Sequence, residues 1–224
     1  RDWLATPNQQ LVLEPQPDPE QLTISDQGQP TALDRSGTVV DSAAPPSITA
    51  HLLGAFSVSV NDTMVQNWPT GKGRAVFKYL LAHRNEPIPR DILMDAFWPQ
   101  AGPEAARNSL NVALHGLRQA LKTVTDMPVV LFEDGAYCIN PELHIWIDAD
   151  EFELHVQTGR RCESNGRTTE AISEYEAALG LYRGDFLAGD PYEEWPMLPR
   201  ERLRVSQLDT LDRLSQIYFS HEQY

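Results

Sequence analysis

Along this chain the apolar positions shift between a period of two and a helical period, and each shift marks an element. Phe56, Val58 and Val60 alternate with Ser57 and Ser59, the spacing of a half-buried strand. Asn61-Asp62 supplies a turn, and residues 64–68 read as a return strand, so an antiparallel sheet opens the folded part. From 73 to 84 the spacing becomes helical, with Val76, Phe77, Leu80 and Leu81 on one side. Glu86-Pro87-Ile88-Pro89 breaks that helix. A short second helix covers about 90–97 and stops at Trp98-Pro99, because proline disfavours a helical residue before it. Pro103 suits the first turn of a third helix that runs to about Thr123. Residues 129–132 and 137–139 flank Glu133-Asp134-Gly135, a hairpin with a turn signal. Sheet, three helices and hairpin, in that order, predict an α+β winged helix-turn-helix with an extra N-terminal antiparallel sheet.

After Asp148 the pattern is helical throughout. Candidate helices cover about 149–164, 168–182 and 192–220, broken at Asn165-Gly166 and between Gly184 and Gly189. Paired antiparallel helices of this length resemble helical repeats of ~34 residues. The last helix reaches the chain terminus, so this all-α module is expected to be truncated. Residues 1–46 differ from both parts, being rich in Gln, Pro, Asp and Ser. Little apolar surface is available there to offset the entropy of ordering, which predicts a disordered or linker segment with a short ordered piece around Leu11-Val12-Leu13. The expected organisation is a linker over 1–46, a winged-helix DNA-binding domain over 47–148 and a helical repeat module over 149–224.

Charge sharpens this division. The net charge of −14 argues against nucleic acid if taken as one number. By segment it is −5 over 1–46, +2 over 47–130 and −11 over 131–224. Phosphates repel a strongly acidic surface, so any DNA contact is expected from the middle segment, and residues 47–148 alone are expected to keep it. No apolar run is long enough to span a bilayer. The chain begins Arg1-Asp2-Trp3, which is expected of a piece of a longer protein. Cys138 and Cys162 form no C-x-x-C pair and read as packing residues in a reduced cytoplasmic setting.

The third predicted helix carries the candidate chemistry. Leu110, Leu114, Leu117 and Leu121 fall within one narrow stripe at 100° per residue, the core face. Asn108, Val112, His115 and Gln119 lie opposite, flanked by Asn111 and Lys122, with Arg107 and Arg118 nearer the core boundary. Asn and Gln bond adenine bidentately, Arg bonds guanine, and Val meets a thymine methyl. Most amphipathic helices also show a solvated polar face, so the helix alone does not establish recognition. A preceding short helix and a following hairpin point further, because that arrangement places a helix in the major groove. Lys72 and Arg74, at the start of the first helix, are candidate phosphate contacts. In the wing, Gly135 is expected to permit the turn and Tyr137 to pack on the third helix or reach a phosphate, packing being favoured.

The run Ala106-Arg107-Asn108-Ser109-Leu110-Asn111-Val112-Ala113-Leu114-His115-Gly116-Leu117-Arg118-Gln119-Ala120-Leu121 closely resembles the recognition helix of the bacterial transcriptional activator domain family, regulators similar to the Streptomyces antibiotic regulatory proteins. Leu80-Leu81-Ala82-His83-Arg84, Phe97-Trp98-Pro99 and Gly135-Ala136-Tyr137 fit the same family. So do Tyr182-Arg183-Gly184-Asp185-Phe186-Leu187, Pro191-Tyr192-Glu193-Glu194-Trp195 and Arg200-Glu201-Arg202-Leu203-Arg204 downstream. The resemblance spans about 48–224. It implies an OmpR-like winged helix fused to a tetratricopeptide-like activator domain, activation through RNA polymerase, and a direct-repeat operator on double-stranded DNA bound head to tail by two protomers. No heptad zipper or self-complementary dimerisation helix is present in the sequence, so a monomer is expected in free solution. Gly116 departs from the basic residue common there, which implies weaker phosphate affinity and costs the helix ~1 kcal/mol relative to Ala.

Other chemistry finds no support in the residues. Gly71-Lys72-Gly73-Arg74 lacks the leading Gly and trailing Ser or Thr of a phosphate-binding loop. The six histidines show no metal-ligand spacing, and no acid pair stands out as a catalytic couple. No enzymatic activity, cofactor or metal is expected. Two readings remain: a sequence-specific DNA-binding activator, or a protein-interaction scaffold whose helical module docks a partner while the winged helix is structural.

Overall fold

The computed structural model describes residues 46–68 and 71–222. The expected linker over 1–46 lies outside them except for Pro46. The first strand, β1 (Ser47–His51), pairs antiparallel with β2 (Ser57–Val60) so that Ile48 faces Val60 and Ala50 faces Val58. All four side chains are buried, and Thr49 and Ser59 between them are not, as a period of two requires. Asn61 and Asp62 turn the chain with positive φ, and β3 (Thr63–Met64) returns. The return strand is only two residues long, shorter than the expected 64–68; beyond it Val65 is buried and its N–H still donates to the Val58 carbonyl at 2.9 Å.

Three helices follow as their spacing predicts: α1 (Gly73–Ala82), α2 (Arg90–Phe97) and α3 (Pro103–Lys122). Between the first two lies an unexpected two-residue strand, β4 (Ile88–Pro89), which leads directly into α2 (Arg90–Phe97). β4 pairs with β6 (Ala136–Ile139), and β6 pairs with β5 (Val130–Glu133), giving a three-stranded sheet of order β4-β6-β5. Proline is tolerated in β4 because this strand is at the sheet edge. A second unexpected strand, β7 (His144–Ile147), joins the first sheet parallel to β1, giving the order β3-β2-β1-β7.

The helical half consists of α4 (Asp148–Ser164), α5 (Thr168–Leu181) and α6 (Met197–Glu222). α4 and α5 pack closely at Gly159, where a Cβ would lie 2.5 Å from the Tyr175 ring. No linker separates this half from the winged helix, since β7 runs straight into α4. The Asp148 carboxylate accepts hydrogen bonds from the Leu52 and Leu53 N–H groups at 2.7 and 3.0 Å. On its other side the same segment meets the α5–α6 connection: Leu187 N–H donates to Leu52, and Gly54 N–H donates to Asp185. Gly54 and Gly184 allow this approach, for a Cβ on Gly184 would lie 3.2 Å from the Gly54 Cα. Arg200 holds the connection in place by donating to the Phe186, Leu187 and Asp190 carbonyls. One buried cluster therefore runs from Val58, Phe77 and Leu114 through to Phe152, Phe186 and Leu203. Among the described residues no helix is long and apolar enough to cross a membrane.

Candidate nucleic-acid interface

α3 is set by its sequence before anything packs on it. Pro103 occupies its first turn, Glu104 sits near its N-terminus and Lys122 in its last turn, so both charges match the helix dipole. Leu110, Leu114, Leu117 and Leu121 are all buried, which orients the helix on the core. That orientation turns the opposite face outward. Arg107, Asn108, Asn111, Val112, His115, Arg118, Gln119 and Lys122 are all exposed, and Val112 retains 73% of its accessible surface. Val112 thus adds an apolar contact point to a face otherwise made of amides, a histidine and cations. The helical half leaves this face open. It docks instead on α1 and on the β1 end of the first sheet, where Trp195 meets Tyr79 edge-on at 5.0 Å.

The structure therefore brings the eight expected α3 residues to one surface. Arg118 reaches sideways to the Val130 carbonyl at the base of the wing, at 3.4 Å, so its charge sits at the boundary between α3 and β5. It shares an open hollow of about 240 Å³ with Lys122, Asp126 and Met127. The two cations expected at the start of α1 are placed differently. Arg74 donates to the Phe56 carbonyl and lies over the Phe56 and Trp68 rings, which directs its charge into the protein. Lys72 stays at the surface, beside Asn108, Ser109 and Val112 of α3, but its ammonium donates to the Phe97 carbonyl.

The wing is the β5–β6 hairpin. Asp134 and Gly135 turn it with φ of 49° and 82°, a conformation that suits glycine at the second position. Tyr137 is buried, and its ring lies 4.5 Å from that of Phe132. It is a packing residue rather than one aimed outward. The tip carries Glu133 and Asp134, a sign that repels phosphate. Burial, with Glu133 nearby, pushes the Cys138 thiol above its ordinary pKa and keeps it protonated. The edge strand β4 adds a contact that sequence reasoning missed: Arg90 N–H donates to the Gly135 carbonyl and ties the wing turn to the start of α2. A two-residue strand containing proline has no periodicity that could have revealed it. Among the described residues no group of three His, Cys, Asp or Glu side chains is placed to hold a metal ion.

Comparisons with known proteins agree with this architecture. Residues 67–134 match the transcriptional regulatory protein C-terminal family, and residues 147–224 match the bacterial transcriptional activator domain. The transcriptional regulatory protein MoaR1 of Mycobacterium tuberculosis is 28% identical over 155 residues, which is 68% of this chain and 49% of MoaR1. The transcriptional regulatory protein EmbR of the same organism is 29% identical over 141 residues, 61% of this chain and 35% of EmbR. This chain thus spans about half the length of MoaR1 and less of EmbR. A solved structure of Mycobacterium tuberculosis EmbR in complex with a low affinity phosphopeptide superposes with a TM-score of 0.69 at 22% identity, covering 79% of this chain and 47% of that one. That likeness is one of fold. The order of the two matched domains, the relatives and the fold agree: the chain joins a domain that matches the transcriptional regulatory protein C-terminal family to one that matches the bacterial transcriptional activator domain, and it is similar to the transcriptional regulatory proteins MoaR1 and EmbR.

Proposed function

We propose that this chain is the DNA-reading part and adjoining activator domain of a sequence-specific transcription regulator, which lays α3 in the major groove. The observation that carries this is the open outer face of α3, where amides, a histidine and an exposed valine stand together on a helix held rigidly by its leucine stripe. Asn108, Asn111, His115 and Gln119 offer hydrogen bonds to base edges, and Val112 offers contact to a thymine methyl. Arg107, Arg118 and Lys122 flank them and suit phosphates. Arg74 has no part in this reading, since its charge is turned inward. The acidic wing tip limits the wing to packing.

A lone recognition helix with this modest positive charge binds weakly. Two protomers on adjacent half-sites gain effective concentration, so the reading is a monomer in solution and a head-to-tail pair on a direct-repeat operator. The acidic helical half faces away from DNA and is offered to RNA polymerase. The protein acts in the bacterial cytoplasm, on the nucleoid when bound, and performs no catalytic step.

The test is binding to duplexes selected from a randomised pool, at two salt concentrations. Asn111→Ala should cost ~1–3 kcal/mol on a selected site and little on random DNA. Lys122→Met should weaken both alike and reduce the salt slope by about one. Separating two half-sites by five further base pairs should abolish cooperativity, and ten should restore it, because a turn of duplex is ~10–10.5 base pairs. Failure to select any sequence would favour the scaffold reading.

A further inference from the structure

The last carbonyls of a helix have no partner within it. In α2 the carbonyl of Phe97, its final residue, accepts a hydrogen bond from the Lys72 ammonium at 2.5 Å. The same ammonium lies 5.9 Å from the centroids of the Phe97 and Trp98 rings. A cation at this end of a helix also matches the helix dipole. Lys72 is the residue immediately before α1, and its own carbonyl accepts the Val76 N–H of that helix. It borders a surface hollow of about 400 Å³ together with Trp98, Asn108, Ser109 and Val112. One side chain therefore ties the start of α1 to the end of α2, beside the outer face of α3.

The link falls where the motif needs one. Between α2 and α3 the chain turns through residues 98–102, which is longer than the ~3–4 residues usual in a helix-turn-helix. Within it the Ala101 N–H donates to the Trp98 carbonyl, and Trp98 is only half-buried. Residues 98–102 connect α2 to α3, so the way this turn leaves Phe97 acts together with the leucine stripe of α3 on the angle between the two helices.

We propose that Lys72 is a positioning residue for the recognition helix: its ammonium fixes the turn over 98–102, and so the angle at which α3 enters the groove, instead of neutralising a phosphate. This rests on the assignment of α3 to DNA made above. Lys72→Met keeps the stem over the two rings and removes charge and donor, while Lys72→Arg keeps both.

The experiment compares the whole chain with these two variants on a duplex selected from a randomised pool by the unaltered chain, and on an unselected duplex of equal length, across a salt series. Lys72→Met is expected to lower the preference for the selected duplex about tenfold, the equivalent of ~1.4 kcal/mol, with an unchanged salt slope. Lys72→Arg is expected to keep the preference. A slope reduced by about one, with both duplexes weakened alike, is the signature of a lost phosphate contact and would overturn the inference. An unchanged preference would overturn it too. If Lys72→Met does not fold, Lys72→Gln removes the charge but keeps an N–H donor, and the slope is read in the same way. An unaltered chain that selects no sequence removes the DNA assignment and this inference together, whereas selection with a reduced slope in the variant removes only the inference.

Discussion

The Lys78 ammonium, buried in α1, donates to the Asp190 carboxylate across the junction between the winged helix and the helical half. Lys78 is 5% exposed and also lies over the Phe56 ring at 4.9 Å, so α1 carries a charge into the core, and among the described residues Asp190 of the helical half compensates it. Removing one partner of a buried pair leaves the other unpaired, at a cost of ~3–5 kcal/mol. Asp190→Asn is expected near the low end, because Asp190 keeps some solvent. Replacing both residues, as Lys78→Met with Asp190→Asn, should cost less than the two single changes added together. Chemical denaturation of the four proteins measures this, and simple additivity would show that the pair is not coupled.

The shared core changes what a shortened chain should do. From charge alone, residues 47–148 are expected to keep DNA affinity by themselves. The structure buries Leu52 and Leu53 beneath the α5–α6 connection and pairs their backbone with Leu187 and Phe186. A fragment ending at 148 exposes that surface. Its melting temperature should fall by about 10 °C or more relative to residues 46–222, the effect of losing ~2 kcal/mol in a domain of this size. Equal melting temperatures would show that the helical half adds no support.

Asp148 provides a pH test. Burial raises its carboxyl above the ordinary range, against the pull of the Leu52 and Leu53 N–H groups and of His51. A carboxyl whose pKa is raised on folding holds its proton more tightly in the folded state. Its contribution to stability is therefore fullest below the unfolded pKa and declines as pH rises through the folded one. Asp148→Asn removes the titration and one acceptor, and should cost ~1–3 kcal/mol at acid pH. The deficit should shrink towards neutral pH. A deficit that grows with pH, followed by thermal unfolding between pH 4 and 7.5, would mean that the backbone donors outweigh burial.

Tyr137 separates packing from contact in the wing. Its ring is buried against Phe132, so Tyr137→Phe should shift the melting temperature by no more than a few degrees and leave DNA affinity unaltered. Tyr137→Ala should cost ~3–5 kcal/mol through the cavity it leaves. A loss of affinity in Tyr137→Phe with unchanged melting would assign its hydroxyl to the DNA.

Elements with a strong local signal are legible along the chain. The leucine stripe of α3 at 110, 114, 117 and 121 prescribes both a helix and the face it buries, and hence which eight side chains look outward. Pro99 and Pro103 bound the turn before it, and Asp134-Gly135 specify the wing turn. The tertiary structure alone decided whatever depends on partners far apart in the chain. β7 has an alternating Ile145 and Ile147, but only its parallel partner β1, nearly a hundred residues upstream, makes it a strand. β4 exists only because β6 offers it a ladder. Lys72 and Arg74 read as free cations at a helix start, until the fold brings the Phe97 and Phe56 carbonyls to their charged ends. Asp148 and Asp190 read as two more acids in an acidic half, yet each sits where a winged-helix donor, the Leu52 N–H or the Lys78 ammonium, is buried beside it. Periodicity reports which face of an element is apolar. It carries no information about which distant element covers that face, because the free energy of that choice is released only when both surfaces leave water together.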